Sequence, residues 1–182
     1  MFRNITATVL TITTLLASSP AIAAHEAYMT VKGQKAGVVK GGATAKGQEG
    51  SIVVLSTSLA ITSPRDATSG LPTGQRVHQP IVITKELDKS SPILWNMLVT
   101  NENISNVTIK YVRAAANGAE PQIYQIKLTN ASISSITFHQ PNSALADSRA
   151  VNEYEDVTFT YQKIEWTWND GGITSTDEWT AR

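Results

Sequence analysis

RVHQPIVITKELDKSSPILWNML, residues 76–98, is the stretch whose reading decides the fold. Residues 80–84 are apolar and β-branched, the composition of a buried strand. Ser91 stands directly before Pro92, the pattern of an N-cap residue followed by proline at the first helical position. Asp88 lies just upstream, where the helix dipole favours a carboxylate. Ile93, Leu94, Met97 and Leu98 then share one face of about two helical turns. The segment reads as a strand, a sharp turn and a short capped helix. It carries no catalytic signature.

Composition narrows what surrounds it. The chain has 182 residues, 41% hydrophobic and 16% charged, which fits a single globular domain. Lys plus Arg equals Asp plus Glu, so the formal net charge is zero. No bulk field draws the chain to nucleic acid or to an anionic membrane, and weak self-repulsion permits self-association. The absence of cysteine excludes disulfides, zinc thiolate sites, iron–sulfur clusters and a cysteine nucleophile. His25, His78 and His139 are scattered without metal-ligand spacing, and no cofactor is expected. Residues 1–23 form a separate segment, with one basic residue (Arg3), an apolar threonine-rich run and the small-x-small ending Ala21-Ile22-Ala23. They resemble a secretory signal peptide, the other reading being a start placed too far upstream. The run is too short and too rich in Thr for a membrane span. The fold is expected in residues 24–182, as one domain with no stable membrane insertion.

The rest of the chain reads mainly as strands. Residues 27–32 alternate as a first strand, a short strand is expected near residues 36–39 within a glycine-rich connection, and residues 51–58 form a better one. The glycines of that connection lack phosphate-loop spacing before a helix, so they read as turns. Residues 63–75 (SPRDATSGLPTGQ) are polar and rich in breakers, and a loop of this size on a compact β domain is usually functional or mobile. Residues 106–113 and 121–129 read as an antiparallel hairpin joined across Asn117-Gly118. Residues 131–139 continue the meander, and residues 140–150 cross over as a polar loop. In the last third, Val157, Phe159 and Tyr161 are apolar at odd positions, whereas Ile164, Trp166 and Trp168 are apolar at even ones. A β-bulge near residues 162–163, or a bend where the strand passes between sheets, would reconcile the two phases. Residues 169–172 (NDGG) make a tight turn, and residues 173–179 return as the final strand. The pattern predicts a mainly β protein: an antiparallel barrel or sandwich of two sheets with one short helix on its flank.

Chemistry is sparse. Ser90 or Ser91 with His78 and Asp88 could be drawn as a triad, but no nucleophile elbow is present and Ser91 is better employed as a cap. His78 is expected to hold a turn by a structural hydrogen bond. The carboxylates Glu153, Glu155 and Asp156, and the pair Asp177 and Glu178, read as solvated edge charges. Trp166, Trp168 and Trp179 suggest a core or subunit interface. The alternative is a secreted module that binds a glycan or another surface through this hairpin. A base-stacking platform would need more interleaved Lys and Arg, so no nucleic acid is expected. No enzyme activity is expected.

Residues 50–54 (GSIVV), 74–98 and 161–179 (YQKIEWTWNDGGITSTDEW) together resemble the haemolysin-coregulated protein family, the inner-tube proteins of the bacterial type VI secretion system. The run H-x-P-x-x-x-T-K-E-x-D-x-S-S-P and the ending W-x-W-x-D-G carry the resemblance. It implies six copies in a ring, rings stacked into a hollow tube, and partners among the spike and sheath components and small effector proteins. It also implies assembly in the cytoplasm and export from the cell. Mapped onto this sequence, the ring-stacking loop is residues 63–75, with Arg65, Asp66, Leu71 and Arg76 as contact candidates. Ser58 becomes a candidate for contact with cargo in the lumen, and Trp95 and Trp179 become candidates for subunit interfaces. The N-terminal segment departs from the family pattern, which ordinarily needs no cleavable signal.

Overall fold

A computed structural model describes residues 25–113, 121–145 and 151–179. The elements, in chain order, are β1 (His25–Gly33), β2 (Val38–Val39), β3 (Ile52–Val54), β4 (Ser56–Ser58), β5 (Ile61–Thr62), β6 (Val77–His78) and β7 (Ile81–Glu86). They continue with α1 (Ser91–Val99), β8 (Ile104–Arg113), β9 (Gln122–His139), β10 (Tyr154–Trp168) and β11 (Ile173–Glu178). The main sheet runs β2-β1-β8-β9-β10-β7-β4, with β3 added to β1 and β11 added to β10. The named pairings are all antiparallel.

Residues 51–58, one strand by sequence pattern, are divided between two neighbours. Ile52–Val54 pairs with β1, Ser56–Ser58 pairs with β7, and the Leu55 N–H between them donates to Thr84 O at 2.8 Å. One short stretch thus borders both ends of the sheet. The architecture is sandwich-like, not a closed barrel. Its core gathers Met29, Ile52, Ile81, Ile83, Ile109, Leu128, Phe159 and Ile164 among others. Leu94 and Met97 of α1 are buried against it, each contributing about 1.5–3 kcal/mol by leaving water.

The two phases of β10 are reconciled by a bend. Tyr161 pairs with Ala131 and Lys163 with Thr129, so the register runs unbroken through residue 162. Buried positions nevertheless switch from Phe159 and Tyr161 to Ile164, from Leu128 to Ala131 on β9, and from Ile104 to Val107 on β8. The switch points Ser105, Asn130 and Gln162 lie in line across three strands. Asn130 has φ 49°, and its Nδ2 donates to Gln162 Oε1 at 3.1 Å. The register slip itself falls between Thr158 and Phe159, where β9 carries an additional residue, Ser134. Residues 131–139 are not a further strand but the second half of β9. Asn117-Gly118 and the end of the 140–150 loop lie outside the described residues, as does the signal-like segment.

The helix start is shifted by one residue from its expected place. Ser90 occupies the cap position and makes no side-chain cap bond. The Ser91 hydroxyl, expected to cap, instead accepts from Lys85 Nζ at 2.9 Å and from the Asp88 N–H at 3.3 Å. A buried ammonium nearby recruits that oxygen more strongly than a neutral amide does.

Candidate functional site

Residues 63–75 are not an irregular loop. Gln79 N–H donates to Ala60 O, Ile61 pairs with His78 and Thr62 with Val77. Thr73 N–H then donates to Pro64 O, Arg65 bridges Pro72, and the Asp66 N–H donates to Leu71 O. The result is a narrow two-stranded arm about 15 Å long. Asp66 turns its tip: Oδ1 accepts from the N–H groups of Thr68 and Ser69 and from the Ser69 hydroxyl. Those Ser69 bonds, from N–H and then hydroxyl, hold the Asp66 carboxyl below its ordinary range. Every residue from 63 to 75 is exposed, and Leu71 is 64% exposed.

The arm meets the body of the protein at its base. Arg76 grips the Asp177 carboxylate of β11 through Nε and one terminal nitrogen, and that same nitrogen donates to Glu178 O at 3.1 Å. His78, buried, sets Nε2 3.1 Å from Asp177 Oδ2 and Nδ1 3.1 Å from the Tyr161 hydroxyl. With the ring neutral, a proton on Nε2 donates to Asp177 while Nδ1 accepts from Tyr161. Trp179 stacks on the His78 ring at 5.5 Å and meets Tyr161 edge-on at 5.3 Å. The bond from Arg76 holds the Asp177 carboxyl below its usual range. Burial, and then the Asp177 charge, push the Tyr161 hydroxyl up to about 12.

A second charged cluster lies inside. Lys85 is fully buried, and Nζ donates to Glu86 O (2.8 Å), Ser91 Oγ (2.9 Å) and Glu155 Oε1 (2.9 Å), with Asp88 Oδ1 at 3.1 Å. Glu155 is equally buried, and its Oε2 accepts from Trp95 Nε1 at 3.2 Å. Burial works to raise the Asp88 carboxyl, but bonds from Ser90 and the Lys85 charge outweigh it and the net direction is downward. Glu155 is therefore not the solvated edge charge that the sequence suggests, and Asp177, partly exposed on an edge strand, is paired. The signal was present for Glu155 and Lys85: each continues the inward phase of its strand, after Ile81 and Ile83 in one case and before Val157 in the other.

The candidate residues fall into groups. Arg65, Asp66 and Leu71 share the arm, and Arg76 and Trp179 meet at its base. Trp95, 37% exposed, stands over the Lys85 cluster, and Ser58 is exposed on β4 opposite Val82. The drawn triad is not assembled, since His78 bonds Tyr161 and Asp177 while Ser91 bonds Lys85 and Asp88. The tryptophans do not form one platform either. Trp179 adjoins Gln162, whereas Trp168 lies six residues along β10, about 20 Å away, tilted against Tyr124. There Tyr111, Tyr124, Trp168, Leu55 and Leu59 line an open apolar cavity of about 700 Å³. Among the described residues, no group of side chains has metal-holding geometry and no helix is long and apolar enough to cross a membrane.

These features define a class: among the described residues, an antiparallel β-sandwich with one flanking helix and an exposed arm. The chain belongs to the Hcp family of type VI secretion proteins. The family model described as "Type VI secretion system effector, Hcp" matches residues 28–168. The chain is 36% identical over 165 residues to the "Major exported protein" of Pseudomonas aeruginosa, covering 86% of this chain and 96% of that one. It superposes on a crystal structure of an Hcp protein with a TM-score of 0.80 and 30% identity, over 87% of this chain and 100% of the other. The secreted protein Hcp3 of Pseudomonas aeruginosa gives 0.70 and 30% over the same shares.

Proposed function

We propose that this chain is the structural subunit of a type VI secretion tube, with no catalytic site. Six copies close a ring, rings stack into a hollow conduit, and the arm reaches from one ring to the next. The tube assembles in the cytoplasm beside spike and sheath components and is exported, with small effector proteins as cargo in its lumen. One observation carries this reading above all: the family match spans 28–168 and the fold covers the whole of a solved Hcp chain. The arm supports it: residues 63–75 are all exposed and hydrogen-bonded into a projection with a leucine near its tip, a shape suited to contact with another molecule. The test is negative-stain microscopy and size exclusion of the purified protein. Rings of six are expected; a monomer at high micromolar concentration in every salt condition would overturn the reading.

A further inference from the structure

A two-stranded hairpin is marginal in water, and this arm, hydrogen-bonded to its tip, has no buried residue between 63 and 75. Its own ladder sets its shape but not its direction. The arm leaves the β4–β7 pair at its base, and there its ion pairs to the body end on one carboxylate, Asp177, while Arg76 also donates to Glu178 O.

We propose that Arg76, His78 and Asp177, clamped under Trp179, form a latch that aims the arm, making the C-terminal strand a positioning element for contact with a second copy of this chain. β11 contributes almost nothing else to the fold. Five of its six residues are exposed, and it pairs with β10 alone among the described strands. Arg76 and Asp177 are 101 residues apart, so the contact ties the base of the arm to the edge strand β11. Tyr161 closes the far side: it holds His78 Nδ1, which leaves Nε2 directed at Asp177. Bidentate guanidinium–carboxylate pairing fixes an angle as well as a distance. Trp179 then covers the ring from outside. Loss of the carboxylate loosens the base of the arm while the sheet β1-β8-β9-β10, with β11 paired to it, is untouched.

The arm's own order can be read without reference to assembly. The amides of Asp66, Gly70, Thr73 and Gln79, each donating within the arm or at its base, report on it by hydrogen exchange. In Asp177→Asn they are expected to exchange roughly tenfold faster or more, with amides of β8 and β9 unchanged. The charge-swapped pair Arg76→Asp with Asp177→Arg is expected to recover most of the protection, which a merely destabilised fold would not do. The assembly consequence rests on the tube reading: Asp177→Asn is expected to form rings that no longer stack. Unchanged arm exchange in Asp177→Asn, or a charge swap that recovers nothing, overturns the latch. Failure of the wild-type protein to form rings overturns the tube reading alone and leaves the exchange experiment valid.

Discussion

Two ionic clusters sit at opposite ends of β7, one dry and one wet. Lys85 and Glu155 have no exposed side-chain surface, whereas Arg76 is 31% and Asp177 21% exposed. Both link distant parts of the chain, but their environments give them different tasks. In the dry cluster neither charge can be left alone, so it is closed whenever the protein is folded. In the wet cluster water can replace either partner, so it can open without unfolding the sheet. The difference teaches where this molecule keeps its fixed parts and where it keeps its adjustable ones. α1 and the turn before it are tied to the core through Lys85; the arm is tied to the edge through Asp177.

The comparison breaks most visibly at Lys85. Lys85→Met leaves Glu155 buried without its counter-charge, and a loss of about 3–5 kcal/mol is expected in denaturant unfolding. Adding Glu155→Leu should restore much of that loss, because the paired removal leaves no orphaned charge. Asp177→Asn and Arg76→Ala, by contrast, should move the thermal midpoint only slightly while loosening the arm. If the two clusters gave equal losses, the division into fixed and adjustable parts would fail.

Titration sharpens the same contrast. Tyr161 has its folded-state value raised from 10 to about 12, so its neutral form is favoured in the fold. That contribution is complete below pH 10 and is lost as pH rises from 10 toward 12. The Tyr161→Phe variant should show a flatter loss of thermal stability across that window. Asp177 runs the opposite way. Its lowered value means a contribution present above the ordinary carboxylate range and lost as pH falls through the lowered value. The smallest effect on stability should come from Leu71→Asp. This residue touches water already, so melting should be unchanged while ring stacking disappears.

Much of this was legible in the sequence, and the failures share a cause. The apolar β-branched run of β7, the alternation along β10 and the apolar face of α1 located the core, and the phase change near residue 162 announced the bend. What local pattern does not encode is the partner. Glu155 reads as an edge charge until Lys85 is placed beside it from seventy residues away. Ser91 reads as a cap until the same ammonium claims its hydroxyl. Residues 51–58 read as one strand because nothing in their alternation shows that β1 ends and β7 begins opposite Leu55. His78 was expected to hold a turn, but its ring bonds Tyr161 on β10 and Asp177 on β11, 83 and 99 residues on. The arm was visible as a loop of unusual size; its ladder was not, since prolines and glycines signal breaks more loudly than pairing.

In the proposed function the fold is built for assembly, with the exposed arm connecting one ring to the next. Sedimentation velocity of the purified protein, with and without Leu71→Asp, tests it most directly. A six-copy species is expected for both proteins and larger stacked species for the wild type only. A wild-type protein that stays monomeric, or a Leu71→Asp variant that stacks as the wild type does, would contradict it.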